Sequence, residues 1–176
     1  MTRYAVFLRG VNVGGITIKS ADLRETLETL PVSDVKTLLA SGNVVCSSDL
    51  SQLDLKSQSE HALRQHFGYV AWVVVLPAET VESIVAECPF PADDPGLHTY
   101  LTLFSDPEVL AEFVDFARSI DEPVHSLGTI AVAWQAPKGG TLESPLNAFS
   151  NKARFKSATT TRNLRTMQKV LGALRA

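Results

Sequence analysis

Residues 70–76 read VAWVVVL, seven apolar residues in a row, and this run restricts the possible folds more than any other stretch. A helix that crosses a bilayer needs about 20 apolar residues, so the run is far too short for a membrane span. It predicts instead a strand that is apolar on both faces. Because a sheet that contains such a strand must be covered on both sides, we expect residues after 77 to cover its second face.

The apolar spacing before this run alternates between the helix pattern and the strand pattern. Ser20 is placed to cap a helix, Gly42 to turn a hairpin and Gly68 to end a second helix. The prediction is strands at 4–9, 35–40, 43–47 and 70–76, with helices at 20–30 and 55–67. This βαββαβ order is that of the ferredoxin-like arrangement, an antiparallel sheet with its first and third strands central and both helices on one face.

The second half of the chain is also predicted to mix helices and strands. We expect a helix at 78–87, a proline-rich linker at 88–96, a strand at 98–104, a helix capped by Asp106, a hairpin at 123–135, a helix from Ser144 and a last helix at 163–174. No sequence repeat links the two halves. The predicted fold class is α+β, with a ferredoxin-like subdomain at 1–77 packed against a second α+β subdomain at 78–176 that ends in a basic helix.

The charge of the chain is unevenly distributed. Residues 1–143 carry 9 basic and 19 acidic side chains, a net charge of −10, while residues 144–176 carry 7 basic and no acidic ones, a net charge of +7. One interpretation is that the basic tail contacts a phosphate-bearing ligand. The other is that the tail docks on the acidic part of its own chain.

The stretch RGVNVGG, residues 9–15, leaves much backbone uncovered by side chains. In the predicted topology it shares one rim of the sheet with residues 41–43 and lies near the amino end of the first helix. Uncovered amides and a helix amino terminus attract anions. The candidate residues for binding a phosphate or carboxylate are Arg9, Gly10, Asn12, Gly14, Gly15, Ser41 and Asn43. The alternative is that the glycines only allow close packing or a bulge.

Known phosphate-binding motifs do not account for this loop. Gly10 and Gly15 have the spacing of a P-loop, but Ile16 stands where that motif requires lysine. The dinucleotide motif G-x-G-x-x-G is absent, and the unit that it needs is parallel. The loop therefore matches no known phosphate-binding motif, and both the anion site and the packing alternative stay open.

Thr161-Arg162-Asn163, at the predicted start of the last helix, is a second candidate site. A hydroxyl, a guanidinium and free helix amides together suit a carboxylate or a phosphate. The alternative is structural, because Leu164 and Met167 begin an apolar stripe with basic residues on the opposite side. On that interpretation the helix docks on the core and its basic face is solvated.

No catalytic residue can be identified from the sequence. His61 and His66 are five residues apart, and the other two histidines have no partner at metal-ligand spacing, so we predict neither a metal nor a cofactor. The first half also does not resemble an RNA-recognition module, although the order of its elements is the same. Such modules stack bases on aromatic residues of their central strands, and the third predicted strand, NVVCSS, has none.

The two cysteines bear on the cellular compartment. Cys46 and Cys88 suggest neither a disulfide framework nor a zinc site, which favours a reducing cytoplasm. No signal peptide and no membrane association are predicted.

Several motifs in combination resemble one bacterial family, catalogued as domain of unknown function 1697. The motifs are RGVNVGG, ADLRETLETL, LASGNVV, CPFP and TTTRNLRT, and the resemblance runs over nearly the whole chain. It implies a two-part α+β fold whose first part is ferredoxin-like, and it implies no activity. The matching positions are Arg9, Gly10, Asn12, Gly14 and Gly15 in the first motif, Ser41, Gly42 and Asn43 in the second, and Thr161, Arg162, Asn163 and Thr166 in the third. Leu164 departs from the pattern, since an aromatic residue is usual there, and residues 143–146 lack the basic residue expected beside Ser144.

The preferred functional hypothesis is a cytoplasmic protein that binds a small anionic ligand at the rim formed by RGVNVGG and residues 41–43, with Thr161, Arg162 and Asn163 completing the site. One alternative is binding of a nucleic-acid backbone through the basic C-terminal segment, which is less favoured. Another is an enzyme of unidentified reaction that acts on a phosphorylated metabolite. The sequence predicts no oligomeric state.

Overall fold

A computed structural model describes residues 1–10, 17–39, 42–140 and 143–176. The strands are β1 (Thr2–Arg9), β2 (Val32–Leu38), β3 (Asn43–Ser48), β4 (Trp72–Pro77), β5 (Leu97–Phe104), β6 (Val124–Leu127), β7 (Ala131–Pro137) and β8 (Thr159–Asn163). The helices are α1 (Ser20–Glu28), α2 (Gln52–Phe67), α3 (Ala78–Glu87), α4 (Pro107–Ser119), α5 (Pro145–Ser150) and α6 (Leu164–Arg175). Within these ranges, no helix has the length and apolar character to cross a membrane. The predicted α+β class is confirmed.

The chain divides into two compact units. The first consists of Met1–Glu82 together with Lys169–Ala176, and the second of Ser83–Gln168. The predicted subdomains at 1–77 and 78–176 stay a prediction.

The first unit has the predicted βαββαβ order of elements. Its four strands form an antiparallel sheet in the order β2-β3-β1-β4, so the first and third strands are central. Leu23 and Leu27 of α1 and Leu55 and Leu63 of α2 join Val6 and other strand residues in one buried core. Burial of this apolar stripe on each helix holds the helices against one face of the sheet.

The second face of this sheet is also covered. Ala5 and Phe7 lie on it and are 0% exposed. Arg3, on the same face, donates a hydrogen bond from Nη2 to the carbonyl oxygen of Ala173 at 3.1 Å and from Nε to that of Leu174 at 3.4 Å. The end of α6 therefore contributes to the cover, as expected for residues after 77.

The second unit contains another four-stranded antiparallel sheet, in the order β6-β7-β5-β8. Counted from its own first strand, this is the strand order of the first sheet, although no sequence repeat predicts it. Its core is aromatic: Phe113 packs edge-on against Phe104 at 5.4 Å between ring centroids, and Phe149 stacks on Phe116 at 4.6 Å. The two units therefore share one topology, although different side chains form their cores.

The predicted element ends lie within three residues of those in the structure: β2 and α2 each begin three residues earlier than predicted, at Val32 and Gln52, and the cap of α1 is misplaced by one residue. Ser20 was expected to cap this helix and is instead its first residue, with Lys19 in the capping position and no side-chain hydrogen bond. The caps at Asp106 and Ser144 are confirmed, because each side chain accepts a hydrogen bond from a backbone amide of the helix that follows. Gly68 ends α2 in the left-handed conformation, with φ of 69°.

Side chains of α2 cover the free edge of β4. Gln52 Nε2 donates to the Val75 carbonyl at 2.6 Å and Lys56 Nζ to the Val73 carbonyl at 2.7 Å. Arg64 donates from Nε and Nη2 to the Ala71 carbonyl at 3.2 and 3.1 Å. Unpaired strand edges invite pairing with other chains, and these donors occupy the acceptors of this edge. We call this arrangement the α2 clamp.

We expect Lys56→Met to destabilise the protein by about 1–3 kcal/mol. The substitution keeps the apolar stem but leaves the Val73 carbonyl and the Glu60 carboxylate, 3.1 Å from Lys56 Nζ, without this donor. Urea denaturation measures the change. The control is Arg24→Met, which breaks an exposed ion pair with Glu28 and should cost at most about 0.5 kcal/mol. Equal effects of the two substitutions would contradict a stabilising role for the clamp.

Candidate functional site

The rim of the first sheet is where β1 ends and β3 begins. The amide of Leu8 donates to the carbonyl of Gly42 at 2.8 Å, and Phe7 is paired with Asn43. The beginning of RGVNVGG and the end of the 41–43 turn are therefore neighbours, as the strand order predicts. Asn12, Gly14, Gly15 and Ser41, which belong to the same prediction, lie outside the described residues.

Arg9 is the charged residue of this rim. It is paired with Trp72 of β4 and is partly buried. Burial lowers the pKa of its guanidinium below the ordinary value, because the charged form has lost part of its hydration. The group remains charged at neutral pH. A cation in such a position interacts more strongly with an anion than a fully hydrated one does, since the local dielectric constant is lower.

Gly10 provides exposed backbone directly after Arg9. Its φ is +76°, a conformation that side chains with a Cβ rarely adopt, and among the described atoms a Cβ built there would meet nothing within 4 Å. Close packing against those atoms therefore does not explain this glycine. Its backbone conformation does.

Asn43 has a structural role in the hairpin. Its side chain is buried, with 1% exposed, and Nδ2 donates to the Leu38 carbonyl at 3.2 Å. The amide thereby closes the turn between β2 and β3. Of the predicted rim residues within the described ranges, Arg9 and Gly10 are the accessible ones.

The last helix was predicted to start at residue 163, and the strand that directly precedes it was not predicted. Thr159–Asn163 form β8, which pairs with β5, and α6 begins at Leu164. The run of β-branched threonines at 159–161 fits a strand edge better than a helix turn. Asn163 Oδ1 accepts from the amide of Arg165 at 2.8 Å, so its side chain caps α6.

The strand separates the side chains of the second candidate site. Thr161 Oγ1 lies 2.9 Å from Thr102 Oγ1 of β5, on the face that also carries Asn163. Arg162 points to the other face, where it is 7% exposed and donates from Nη1 to Thr160 Oγ1 at 2.7 Å. The three side chains therefore do not converge on one small ligand, and their binding role stays a prediction.

Several charges of the basic tail are engaged within the protein. Arg154 forms an ion pair with Glu112 at 2.6 Å, and Arg175 forms one with Glu82. Arg165 Nε donates to the Ala92 carbonyl at 3.0 Å. These contacts support the interpretation in which the tail docks on its own chain.

The environment of Cys46 does not favour a role as a nucleophile. Burial raises the pKa of its thiol to about 11, against a weaker opposite effect of Arg3. Reactive cysteines have a low pKa and some exposure, whereas this side chain is 2% exposed. Over the described part of the chain, no group of three or more His, Cys, Asp or Glu side chains is placed to hold a metal ion.

The raised pKa of Cys46 predicts a pH dependence of stability. The folded state keeps the thiol protonated to about pH 11, while the unfolded thiol ionises near its ordinary pKa of 9.0. This contribution is therefore present below pH 9 and lost as the pH rises from about 9 to 11. We expect the urea midpoint of the wild type to fall faster over this interval than that of Cys46→Ala. Parallel curves would contradict the assignment.

Trp72 is the rim residue that the sequence did not indicate. It lies across from Arg9 in the strand register, and the Arg64 guanidinium stacks on its ring at 4.4 Å from the centroid. Only the register of β1 against β4 places Trp72 beside Arg9, and the residue pattern of a single strand does not reveal that register.

Comparison with known proteins identifies the family. The family model described as a protein of unknown function, DUF1697, matches residues 1–127, more than two thirds of the chain. The chain belongs to this family. The resemblance drawn from the sequence motifs is thereby confirmed.

A solved structure shares the fold of this DUF1697 protein. It is the conserved bacterial protein SP0830 from Streptococcus pneumoniae, with a TM-score of 0.79 and 23% sequence identity. The match covers 100% of this chain and 99% of that chain. A search among curated proteins found no match. The comparisons therefore establish the family and the fold.

Proposed function

We propose that this protein binds a small anionic ligand, one that carries a phosphate or a carboxylate, at the rim formed by Arg9, Gly10 and the 41–43 turn. The observation that carries the proposal is the hydrogen bond from the Leu8 amide to the Gly42 carbonyl, 2.8 Å long, which joins the two loops beside Arg9. Asn12, Gly14, Gly15 and Ser41 are the further residues of this proposed site.

Arg9 supplies the positive charge of the proposed site. Its guanidinium is partly dehydrated, and the exposed backbone of Gly10 follows it directly. A carboxylate or phosphate at this position gains a charge-assisted hydrogen bond, which is stronger than a neutral one. The partly dehydrated guanidinium and the exposed backbone beside it support an anion-binding role, and they indicate no particular reaction.

We do not propose that Thr161, Arg162 and Asn163 all contact the same ligand. Because Arg162 faces away from the other two, a small ligand would contact either Arg162 or the pair of Thr161 and Asn163. Nucleic-acid binding through the tail is not favoured, since Arg154 and Arg175 are paired with acidic side chains. The two cysteines, which are free thiols, favour action in the cytoplasm.

Thermal unfolding with a panel of ligands tests the proposed function. The panel contains inorganic phosphate, nucleoside phosphates, dicarboxylates, neutral nucleosides, and short DNA and RNA. A ligand present at 100 times its dissociation constant adds about 2.7 kcal/mol to the free energy of unfolding. We expect at least one small anion to raise the melting temperature of the wild type and not of Arg9→Gln. An increase that Arg9→Gln retains, or one produced only by nucleic acid, would contradict the proposal.

A further inference from the structure

The helices of the second unit cover only part of its sheet. In the first unit the sheet lies under α2, which has 16 residues, whereas α5, the helix at the same place in the second topology, has six. Strand residues that face α2, for example Val6 and Val73, are apolar and buried. On β5 and β8 the same face carries polar or aromatic side chains that are partly exposed, His98, Tyr100, Thr161 and Asn163. We call these four residues the β5–β8 face. Polar residues at positions that packing would fill with apolar ones are expected at functional sites.

A chain of hydrogen bonds sets the direction in which the Thr161 hydroxyl donates. Trp134 Nε1 can only donate, and it donates to Thr102 Oγ1 at 2.9 Å. Thr102 is 0% exposed, and its own hydroxyl proton has Thr161 Oγ1, 2.9 Å away, as its acceptor. Thr161 therefore accepts from Thr102. Because Thr161 is partly exposed, its own proton can be donated to a ligand.

Hydrogen bonds also orient the side chains of Asn163 and His98. Asn163 Oδ1 accepts from the amide of Arg165, so Nδ2 is the end that lies 3.4 Å from His98 Nδ1. Since Nδ2 can only donate, Nδ1 of the neutral imidazole is the acceptor and the ring proton is on Nε2. Both side chains are partly exposed. Each therefore presents a donor, the second Nδ2 proton of Asn163 and the Nε2 proton of His98.

Three donors on one face select a ligand that brings acceptor oxygens. A carboxylate accepts stronger hydrogen bonds than a neutral carbonyl does, because its oxygens are charged. With His98 neutral, the β5–β8 face contains no cation, whereas binding sites for the more highly charged phosphate commonly contain arginine or lysine. The partly exposed ring of Tyr100 packs on Trp134 with 4.9 Å between centroids and edge-on against His98 at 6.0 Å. Such a ring beside the donors offers a contact for the flat, apolar body of a ligand.

We propose that the β5–β8 face binds a small planar carboxylate. Its oxygens accept hydrogen bonds from Thr161, Asn163 and His98, and its ring lies against Tyr100. The inference goes beyond the proposed function, with which it shares only the pair of Thr161 and Asn163. It does not depend on Arg9, so the two proposals can fail separately.

Amide chemical shifts of the ¹⁵N-labelled full chain test this proposal, with benzoate, nicotinate, benzamide and nicotinamide titrated one at a time. The two amides keep the rings of the two carboxylates and lack their charge. We expect saturable shifts in residues 98–102 and 161–166 with at least one of the carboxylates. The matching amide should bind about tenfold more weakly, because its carbonyl accepts weaker hydrogen bonds.

Two substitutions remove donors from the β5–β8 face. Thr161→Val keeps the shape of the side chain and removes its hydroxyl, and it should weaken carboxylate binding about tenfold. His98→Ala should weaken binding to a similar extent, and it guards against a folding defect of Thr161→Val because His98 is partly exposed. The matched control is Thr37→Val, which changes a partly exposed threonine of strand β2 in the first unit and should leave binding unchanged.

Arg9→Gln separates this inference from the proposed function. The carboxylate should bind this variant as tightly as it binds the wild type, and loss of binding would place the carboxylate at the rim and overturn the inference while supporting the rim site. Equal affinity for a carboxylate and its amide, or unchanged affinity in Thr161→Val or His98→Ala, would also overturn it. So would shifts that do not saturate, or no response to any of the four compounds.

Discussion

Trp134→Ala is expected to destabilise the protein by about 3–5 kcal/mol, the range for removal of a large buried aromatic side chain. Trp134 is 1% exposed in the core of the second unit, and its ring packs on Tyr100 with 4.9 Å between centroids. Its Nε1 donates to Thr102 Oγ1 at 2.9 Å. Whole domains are stable by only about 5–15 kcal/mol, so the loss is large. Urea denaturation followed by circular dichroism measures it.

Trp134→Phe separates the contribution of packing from that of the hydrogen bond. Phenylalanine keeps an aromatic ring in the core, and Thr102 Oγ1 retains the Thr161 hydroxyl as a partner at 2.9 Å. We expect this variant to lose about 1–2 kcal/mol. A cost below about 1 kcal/mol for Trp134→Ala would contradict the described core of the second unit.

Arg9→Gln is expected to weaken the binding of a small anion about 10–100-fold. A hydrogen bond to a charged group contributes about 1.5–3 kcal/mol, and each 1.4 kcal/mol is a tenfold change in affinity. Glutamine keeps a polar, hydrogen-bonding side chain, although a shorter one, and removes the charge at a position where hydration is already reduced. Isothermal titration with the anion found in the thermal panel measures the change.

Arg24→Gln is the matched control for Arg9. Arg24 lies on α1 of the same unit, and its side chain is 52% exposed, in an ion pair with Glu28. Its removal changes the net charge by the same amount, so any general electrostatic effect appears equally in both variants. Equal weakening in the two variants would show that the anion responds to net charge and not to the rim.

Much of the fold follows from local patterns. The apolar spacing of α1 and α2, the glycine after α2 and the proline that opens α4 are signals that lie within each segment. The order β2-β3-β1-β4 follows from the order of elements, because a βαββαβ unit has few ways to form an antiparallel sheet.

The strand β8 could not be found in this way. Its five residues are all polar, so they show no apolar alternation, and they run directly into the amphipathic helix α6. What makes them a strand is their pairing with β5, for example Thr102 with Thr161, and this is a long-range contact. Because β8 was not predicted, the repeat of the first unit's topology in the second unit was not predicted either.

The candidate site shows the same division between local and long-range information. The meeting of the first loop with the 41–43 turn follows from the strand order alone, and the Leu8–Gly42 hydrogen bond agrees with it. The separation of Arg162 from Thr161 depends on strand alternation, which a predicted helix start conceals. The position of Trp72 beside Arg9 depends on strand register.

The most direct test of the proposed function locates the anion on the protein. We would record ¹H–¹⁵N spectra of the wild type during titration with the anion that gives the largest thermal shift. The proposal predicts saturable changes at the amides of Leu8, Gly10, Gly42 and Asn43, which are lost in Arg9→Gln and kept in Arg24→Gln. Changes confined to the basic segment 152–175, or the same changes in Arg9→Gln, would contradict it.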